Sequence, residues 1–249
     1  MEQAEVHEIF ASIQGEGPWL GERHIFVRLQ GCDMQCRYCD TPASVPSANN
    51  VEFASVQSSF GPTASCYKIP NPVSASRLSE LCSRLVIPGP SRPTLSLTGG
   101  EPLLQHEFLA EWLPIAKKQY RVYLETNGIR YEAMKLISGL VDVVSMDFKL
   151  PSATGLRPFW EEHERFLSSA GSANLFVKAV VTRDTKRDDI LTSAHLIAKR
   201  DGSIPLVLQP AGGTLAPDAK MLVGFQETAL GILPVVRVIP QVHKILKVP

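Results

Sequence analysis

Three cysteines fall within eight residues, as Cys32-x3-Cys36-x2-Cys39. Thiolates this close on one loop suit a metal better than disulfides, and the chain's five cysteines are an odd number. Three thiolates can hold three irons of a cubic [4Fe–4S] cluster and leave the fourth iron open to another ligand. A structural zinc is the alternative. It asks for a fourth protein ligand, no nearby pair supplies one, and His24 sits on the preceding strand. Cys82 shares a helical stripe with Leu78, Leu81 and Leu85 and is expected in the core, while Cys66 carries no assigned role.

Other polar groups recur where apolar runs end. Thr98-Gly99-Gly100-Glu101 follows Leu95-Ser96-Leu97, and Glu125-Thr126-Asn127-Gly128 follows Val122-Tyr123-Leu124. Ser145-Met146-Asp147-Phe148-Lys149 closes a run that begins at Val141, and Gln209 closes Leu206 to Leu208. Gly99-Gly100 alone could be an ordinary turn. A phosphate loop is not expected, because no Gly-Lys-Ser/Thr follows. The shared placement of these motifs is the stronger signal. In parallel βα architectures, chemistry gathers at the C-terminal ends of the strands.

The elements that must hold these residues alternate. Strands are predicted at His24–Leu29, 95–97, 122–124, 141–146, 175–181, 206–208 and 235–239, with amphipathic helices between. One helical stripe joins Phe108, Leu109, Trp112, Leu113 and Ala116, with Pro114 expected to weaken or bend it. Another joins Met221, Leu222, Phe225 and Ala229. The expectation is a single α/β domain over 1–249 built as an open, partial (β/α)6 barrel. Residues 44–76 hold eight Ser and four Pro, with only Glu52 and Lys68 charged, and read as an irregular loop or insertion.

Composition narrows the function classes. Lys+Arg and Asp+Glu both count 25, so neither a nucleic-acid nor a membrane-surface partner is indicated. The N-terminal MEQAEVHEIF lacks the apolar stretch of a signal peptide, and no run reaches a membrane span. A soluble, cytoplasmic protein is the expectation.

The cysteine loop followed by Gly99-Gly100-Glu101-Pro102 resembles the radical S-adenosylmethionine (SAM) superfamily. Within it, the ordered set of motifs resembles the 7-carboxy-7-deazaguanine synthase family. That set is Glu8-Ile9-Phe10, Ile13-Gln14-Gly15-Glu16-Gly17, Phe26-x-Arg28-x2-Gly31-Cys32, Cys39-Asp40-Thr41, the two Gly-containing turns, and the tail Gln241-x-His243-Lys244-x-Leu246-x2-Pro249. The resemblance runs nearly from end to end, apart from 44–76.

The resemblance implies a partial barrel of the radical SAM type, with an N-terminal extension and a C-terminal tail that closes the substrate site. It implies a [4Fe–4S] cluster on Cys32, Cys36 and Cys39, SAM on its open iron as the source of a 5′-deoxyadenosyl radical, and Mg²⁺ at Thr41. The reaction implied is ring contraction of 6-carboxy-5,6,7,8-tetrahydropterin to 7-carboxy-7-deazaguanine with loss of ammonia, on the route to queuosine and other 7-deazapurines. SAM contacts carry over to Tyr38, Cys39, Asp40, Gly100, Ser145 and Gln209. Many members carry Ser-Pro-Lys where this chain has Ser145-Met146-Asp147-Phe148-Lys149, so Asp147 or Lys149 takes the neighbouring contact. Pterin contacts carry over to Ile13, Gln14, Gly15, Glu16, Arg28, Thr98 and the carboxylate of Pro249.

These side chains suit such a ligand. Gln14 offers donor and acceptor to a pterin edge, Glu16 accepts from its N–H groups, and Arg28 can meet a carboxylate with paired donors. By residue type alone, Gln14 to Gly17 is a hairpin turn, Arg28 a surface ion pair and Asp40-Thr41-Pro42 a cap or turn. Further expectations are an electron donor such as a flavodoxin or ferredoxin, and a homodimer. A glycyl-radical activase would share the cysteine loop and the Gly-Gly-Glu turn, but has no use for the Gln14-Gly15-Glu16-Gly17 phrase.

Overall fold

The computed structural model describes residues 2–41, 52–59 and 65–249. The chain enters through β1 (Gln3–Ala4) and β2 (Val6–Ile13), turns, and returns antiparallel as β3 (Arg23–Leu29). Next come β4 (Phe53–Gln57), β5 (Cys66–Pro70) and β6 (Val73–Ser74), then α1 (Ala75–Ser83). Alternation follows: β7 (Thr94–Gly99), α2 (His106–Ala116), β8 (Arg121–Thr126), α3 (Tyr131–Ile137) and β9 (Val143–Phe148). After α4 (Pro151–Thr154) and α5 (Trp160–Ser169) come β10 (Asn174–Val181), α6 (Arg187–Asp201), β11 (Leu206–Pro210), α7 (Ala219–Leu230), β12 (Val236–Val238) and α8 (Val242–Leu246).

One sheet of ten strands organises the domain, in the order β12-β11-β10-β9-β8-β7-β3-β2-β4-β5. From β3 through β12 every neighbouring pair is parallel. Helices α1, α2, α3, α5, α6 and α7 lie in chain order between successive strands of this parallel run, α1 after the inserted β4 to β6, which is the sixfold βα repeat of a partial barrel with the short β12 added beyond it. No helix among the described residues is long and apolar enough to cross a membrane.

Alternation along each strand sorts the side chains onto two faces. Ile25, Val27, Leu95, Leu97, Val122, Leu124, Val144, Met146, Val177, Ala179, Leu206 and Leu208 all join the main core under the helices. The opposite face carries a second, smaller apolar cluster of Tyr123, Val143, Phe176 and Val207, with Trp19 and Ile239 against it. One step further along the same face, Arg28, Thr98, Glu125, Asp147, Lys178 and Gln209 line a cavity. The barrel interior is therefore plugged by apolar side chains below and polar above.

One expectation is corrected. The stretch 44–76 is not simply an irregular loop. Phe53–Gln57 and Cys66–Pro70 form an antiparallel pair, and the first of them runs parallel beside β2, extending the sheet at that edge. The sequence pattern hides this because Ala54, Val56 and Ile69 are the few buried positions in a Ser-rich run. The parts of that stretch at 44–51 and 60–64, like Pro42, lie outside the described residues. Helix α2 runs through Pro114 to Ala116, and Trp112 within it is fully buried and donates to Ser79 Oγ at 2.9 Å. Cys82 is buried on α1, as its spacing predicts.

The turn after β7 is held by Glu101. Its Oε1 accepts from Leu103 N at 3.0 Å and Thr126 Oγ1 at 2.8 Å, and its Oε2 accepts from Asn127 N at 2.7 Å. Glu101 is fully buried, so it is a structural anchor joining the ends of β7 and β8. Burial pushes its carboxyl up to about 7 from 4.5, against the pull of those hydrogen bonds. A group whose folded pKa is raised contributes stability that is complete below the unfolded value and lost as pH rises through the folded one. The excess stability of the parent over a Glu101→Gln variant should therefore shrink by roughly 2–3 kcal/mol between about pH 4.5 and about pH 8. Urea unfolding of both proteins across that range checks it, and parallel stability curves would count against an ionising Glu101.

Candidate active site

The cysteine loop leaves β3 through Gly31, whose φ of 102° favours glycine. It is stapled to the neighbouring turns on two sides. Glu101 N donates to Gly31 O at 2.7 Å, and Asn127 Nδ2 donates to Asp33 Oδ1 at 3.0 Å. Arg130 Nε reaches Asp33 Oδ2 at 3.0 Å. A Cβ on Gly100 would lie 1.9 Å from Gly31 O and 2.9 Å from Cys32 Cβ, so only glycine lets the two turns meet. Cys32, Cys36 and Cys39 all line the cavity.

The thiols fit a cluster better than a single zinc. Among the described residues, the only three His, Cys, Asp or Glu donors within 4.8 Å of one another are those of Glu16, Asp40 and His243. Sulfur ligands of one tetrahedral zinc lie closer, at about 3.8 Å from each other. His24 is no zinc ligand either; it is fully buried and shares a 2.7 Å hydrogen bond with Ser96 Oγ. Burial pushes the Cys32 thiol up to about 11 and raises that of Cys36, so a cationic iron centre is what would make them thiolates.

The cavity measures about 700 Å³ and brings together every residue expected to hold the cluster, SAM, Mg²⁺ or the pterin. From β2 and its turn come Ile13, Gln14, Gly15 and Glu16; from β3, Arg28; from the cysteine loop, Tyr38, Asp40 and Thr41. The strand ends supply Thr98, Gly100, Ser145, Asp147, Lys149 and Gln209, and the chain end supplies Pro249. Three of these carry buried polar atoms without a partner among the described residues: Tyr38 Oη, Asp147 Oδ1 and Gln209 Oε1. Such atoms cost free energy unless a ligand satisfies them. All three are residues expected to face SAM, so the donor set fits that group.

Charges in the cavity are paired. Lys149 Nζ donates to Asp147 Oδ2 at 2.9 Å and lies 5.6 Å from the Tyr38 ring centroid. The two residues at the altered Ser-Met-Asp-Phe-Lys motif thus form a salt bridge with each other. Lys178 Nζ stands 2.5 Å from Glu16 Oε2. Burial raises the Glu16 carboxyl, but the Lys178 charge and the hydrogen bonds from Lys178 and Gln241 together outweigh it and hold Glu16 below its ordinary value. Asp40 Oδ2 accepts from Gln241 Nε2 at 2.8 Å and Lys244 Nζ at 3.0 Å. Burial opposes ionisation there too, yet those donors bring Asp40 down to about 2. With Glu16 and Asp40 so engaged, their closeness to His243 needs no metal to explain it.

Gln14 to Gly17 is both a hairpin turn and a wall of the cavity. Gln14 N donates to Glu22 O at 2.7 Å, closing the hairpin. Its side chain donates to Glu125 Oε1 at 3.1 Å, and Thr98 Oγ1 donates to Glu125 Oε2 at 2.9 Å. Arg28 Nε is paired with Glu8 through a 2.7 Å contact, and the guanidinium lies 5.8 Å from the Phe10 ring centroid. The tail packs on this wall. Val242 N donates to Gly15 O at 2.9 Å, and a Cβ on Gly15 would strike His243 Nδ1 at 2.2 Å.

Sequence reasoning missed Lys178, and left Glu125, Gln241, His243 and Lys244 inside motifs without a place in the site. Lys178 had a signal: it is a lone charge in the apolar run Leu175 to Val181.

Comparisons with known proteins agree with this architecture. The family model of the Radical SAM superfamily matches residues 26–183. A 7-carboxy-7-deazaguanine synthase of Geobacter sulfurreducens is 39% identical over 248 residues, covering 98% of this chain and 97% of its own. The protein of that name from Methanopyrus kandleri is 36% identical, covering 97% and 92%. The crystal structure of QueE from Escherichia coli superposes with a TM-score of 0.59 at 21% identity, covering 96% of this chain and 94% of that one. With 39% and 36% identity to these relatives over nearly its whole length, the chain belongs to the 7-carboxy-7-deazaguanine synthase family of the radical SAM superfamily.

Proposed function

We propose that this pocket carries out the family's reaction, the ring contraction of 6-carboxy-5,6,7,8-tetrahydropterin to 7-carboxy-7-deazaguanine with release of ammonia. The observation that carries this reading is the single cavity in which a three-cysteine mouth faces a wall of amide, carboxylate and hydroxyl groups. Atoms and electrons balance between substrate, product and ammonia, so no external oxidant is consumed.

When bound, the cluster and SAM supply a carbon-centred radical that takes and later returns one hydrogen atom. The chain's own residues hold, orient and shield. Cys32, Cys36 and Cys39 would ligate three irons. Tyr38, Asp40, Gly100, Ser145, Asp147, Lys149 and Gln209 would hold SAM, and the Lys149–Asp147 pair leaves Asp147 Oδ1 to receive a donor. Glu125 fixes Gln14 and Thr98, leaving Gln14 one amide hydrogen for the pterin edge. Glu16, held ionised by Lys178, accepts from the pterin's N–H groups. Arg28 meets its carboxylate, and Ile13 and Gly15 bring the backbone close.

Thr41 is proposed as the protein ligand of Mg²⁺, a hard cation that prefers oxygen and keeps several waters. The Pro249 carboxylate is proposed as a pterin ligand, supported by the docked tail and by the place of Pro249 on the cavity wall. A flavodoxin or ferredoxin as electron donor, a cytoplasmic setting and a homodimer rest on the family resemblance.

Three outcomes follow from these roles. Cys36→Ala should abolish SAM cleavage and the iron–sulfur absorbance, whereas Cys82→Ala should cost only about 1 kcal/mol of stability in denaturant unfolding; parental SAM cleavage by Cys36→Ala would overturn the cluster assignment. Thr41→Ala should blunt magnesium stimulation of turnover and leave the cluster spectrum intact, and equal stimulation would remove Thr41 from the metal. A short Gly-Ser extension after Pro249 should raise KM for the pterin by roughly tenfold, the worth of one charge-assisted hydrogen bond. The same extension before Met1 should not, and equal kinetics of both proteins would exclude the terminal carboxylate.

A further inference from the structure

Lys178 lies in the middle of β10, in register with Asp147 of β9. A lysine buried inside a parallel sheet is costly unless paired. Its Nζ is 3.7 Å from Asp147 Oδ2, but Asp147 has a nearer cation in Lys149 at 2.9 Å. Its close partner is Glu16 Oε2, and among the described residues Glu16 has no other ion pair. The second oxygen, Glu16 Oε1, accepts two amides from opposite walls. Gln209 Nε2 comes from β11 at 3.2 Å, and Gln241 Nε2 comes from the root of the tail at 2.8 Å. The next residue of the tail, Val242, donates its N–H to Gly15 O beside Glu16. Gln209, turned this way, keeps its own Oε1 buried and unpartnered on the cavity side.

We infer that Lys178 is a positioning residue: by pairing with Glu16 it fixes the one acceptor that ties Gln241 of the tail to Gln209 of the barrel, and so closes the tail over the pterin half of the pocket. Losing the ammonium leaves a buried carboxylate without its charge partner, and Glu16 must then turn toward water or release the amides it holds. The inference rests on the functional reading above only for the identity of the ligand beneath the tail.

Hydrogen exchange of the cluster-loaded, SAM-bound protein tests it without substrate. In Lys178→Met and in Glu16→Ala, amides at 242–248 should exchange at least about tenfold faster than in the parent, with strands β7 to β9 unchanged. The double variant should show no further loss, because the two residues act as one unit. Lys178→Arg, which keeps the charge, should restore most of the protection. In steady-state assays, Lys178→Met should raise KM for the pterin at least about tenfold, the worth of a charge-assisted contact. Parental tail exchange in either single variant, additive loss in the double variant, or an unchanged KM would overturn the inference. If Lys178→Met does not fold, Glu16→Ala and Lys178→Arg carry the same comparison. A parent that fails to convert carboxytetrahydropterin would sink the functional reading, while the exchange data would still decide on the clamp.

Discussion

An ionised carboxylate removed from water must be matched by charge and by donors, and much of this site follows from how Glu16 meets that requirement. Glu16 comes from the first hairpin, Lys178 from the fifth of the parallel strands, Gln209 from the sixth and Gln241 from the tail. Four segments far apart in sequence converge on one group. The N-terminal extension and the C-terminal tail therefore have a common point of attachment on the barrel. Without it, the tail would be tied only to the loops, by the Val242 N–H on Gly15 O and by Gln241 and Lys244 on Asp40.

Polar groups can be collected here because of the sheet. Strands in a parallel array present alternate residues to the barrel interior, and the lower interior is filled by Tyr123, Val143, Phe176 and Val207. That plug leaves the next inward positions, among them Arg28, Thr98, Glu125, Asp147, Lys178 and Gln209, as the floor of a cavity. Each charge on this floor then finds a counter-charge or a hydrogen-bond partner within the site. Lys149 neutralises Asp147, Lys178 neutralises Glu16, and Glu125 is held by Gln14 and Thr98. Ligands entering such a pocket meet oriented dipoles rather than water that must first reorganise.

The rim is built by a different economy, in which backbone closeness matters more than charge. Gly31, Gly99 and Gly100 let the cysteine loop and the turn after β7 pack backbone to backbone. Glu101 then spends its acceptors on the two neighbouring turns instead of on a ligand. Asp33 joins the loop to Asn127 and Arg130 from the other side. A cysteine loop so tied needs little reorganisation to receive a cluster.

Local chemistry is legible in sequence because it depends on spacing within a few residues. The cysteine spacing, the two glycine turns, the alternation of strands with helices and the buried stripe at Cys82 all express constraints of one loop or one element. They identified the family and the strand ends where its chemistry gathers. Other features arise only when distant segments meet. The hairpin of β4 and β5 forms because a polar, Ser-rich stretch can pair along the edge of an existing sheet and bury only Ala54, Val56 and Ile69. Lys178 reads as an oddity in an apolar run until Glu16, 162 residues away, is brought to it. Asp147 and Lys149 look like rivals for one contact in sequence and are a salt bridge in the fold. Sequence by itself determined which groups this protein has for its chemistry; tertiary structure decided which of them face one another, because pairing energies depend on distance through space and burial, neither of which spacing along the chain contains.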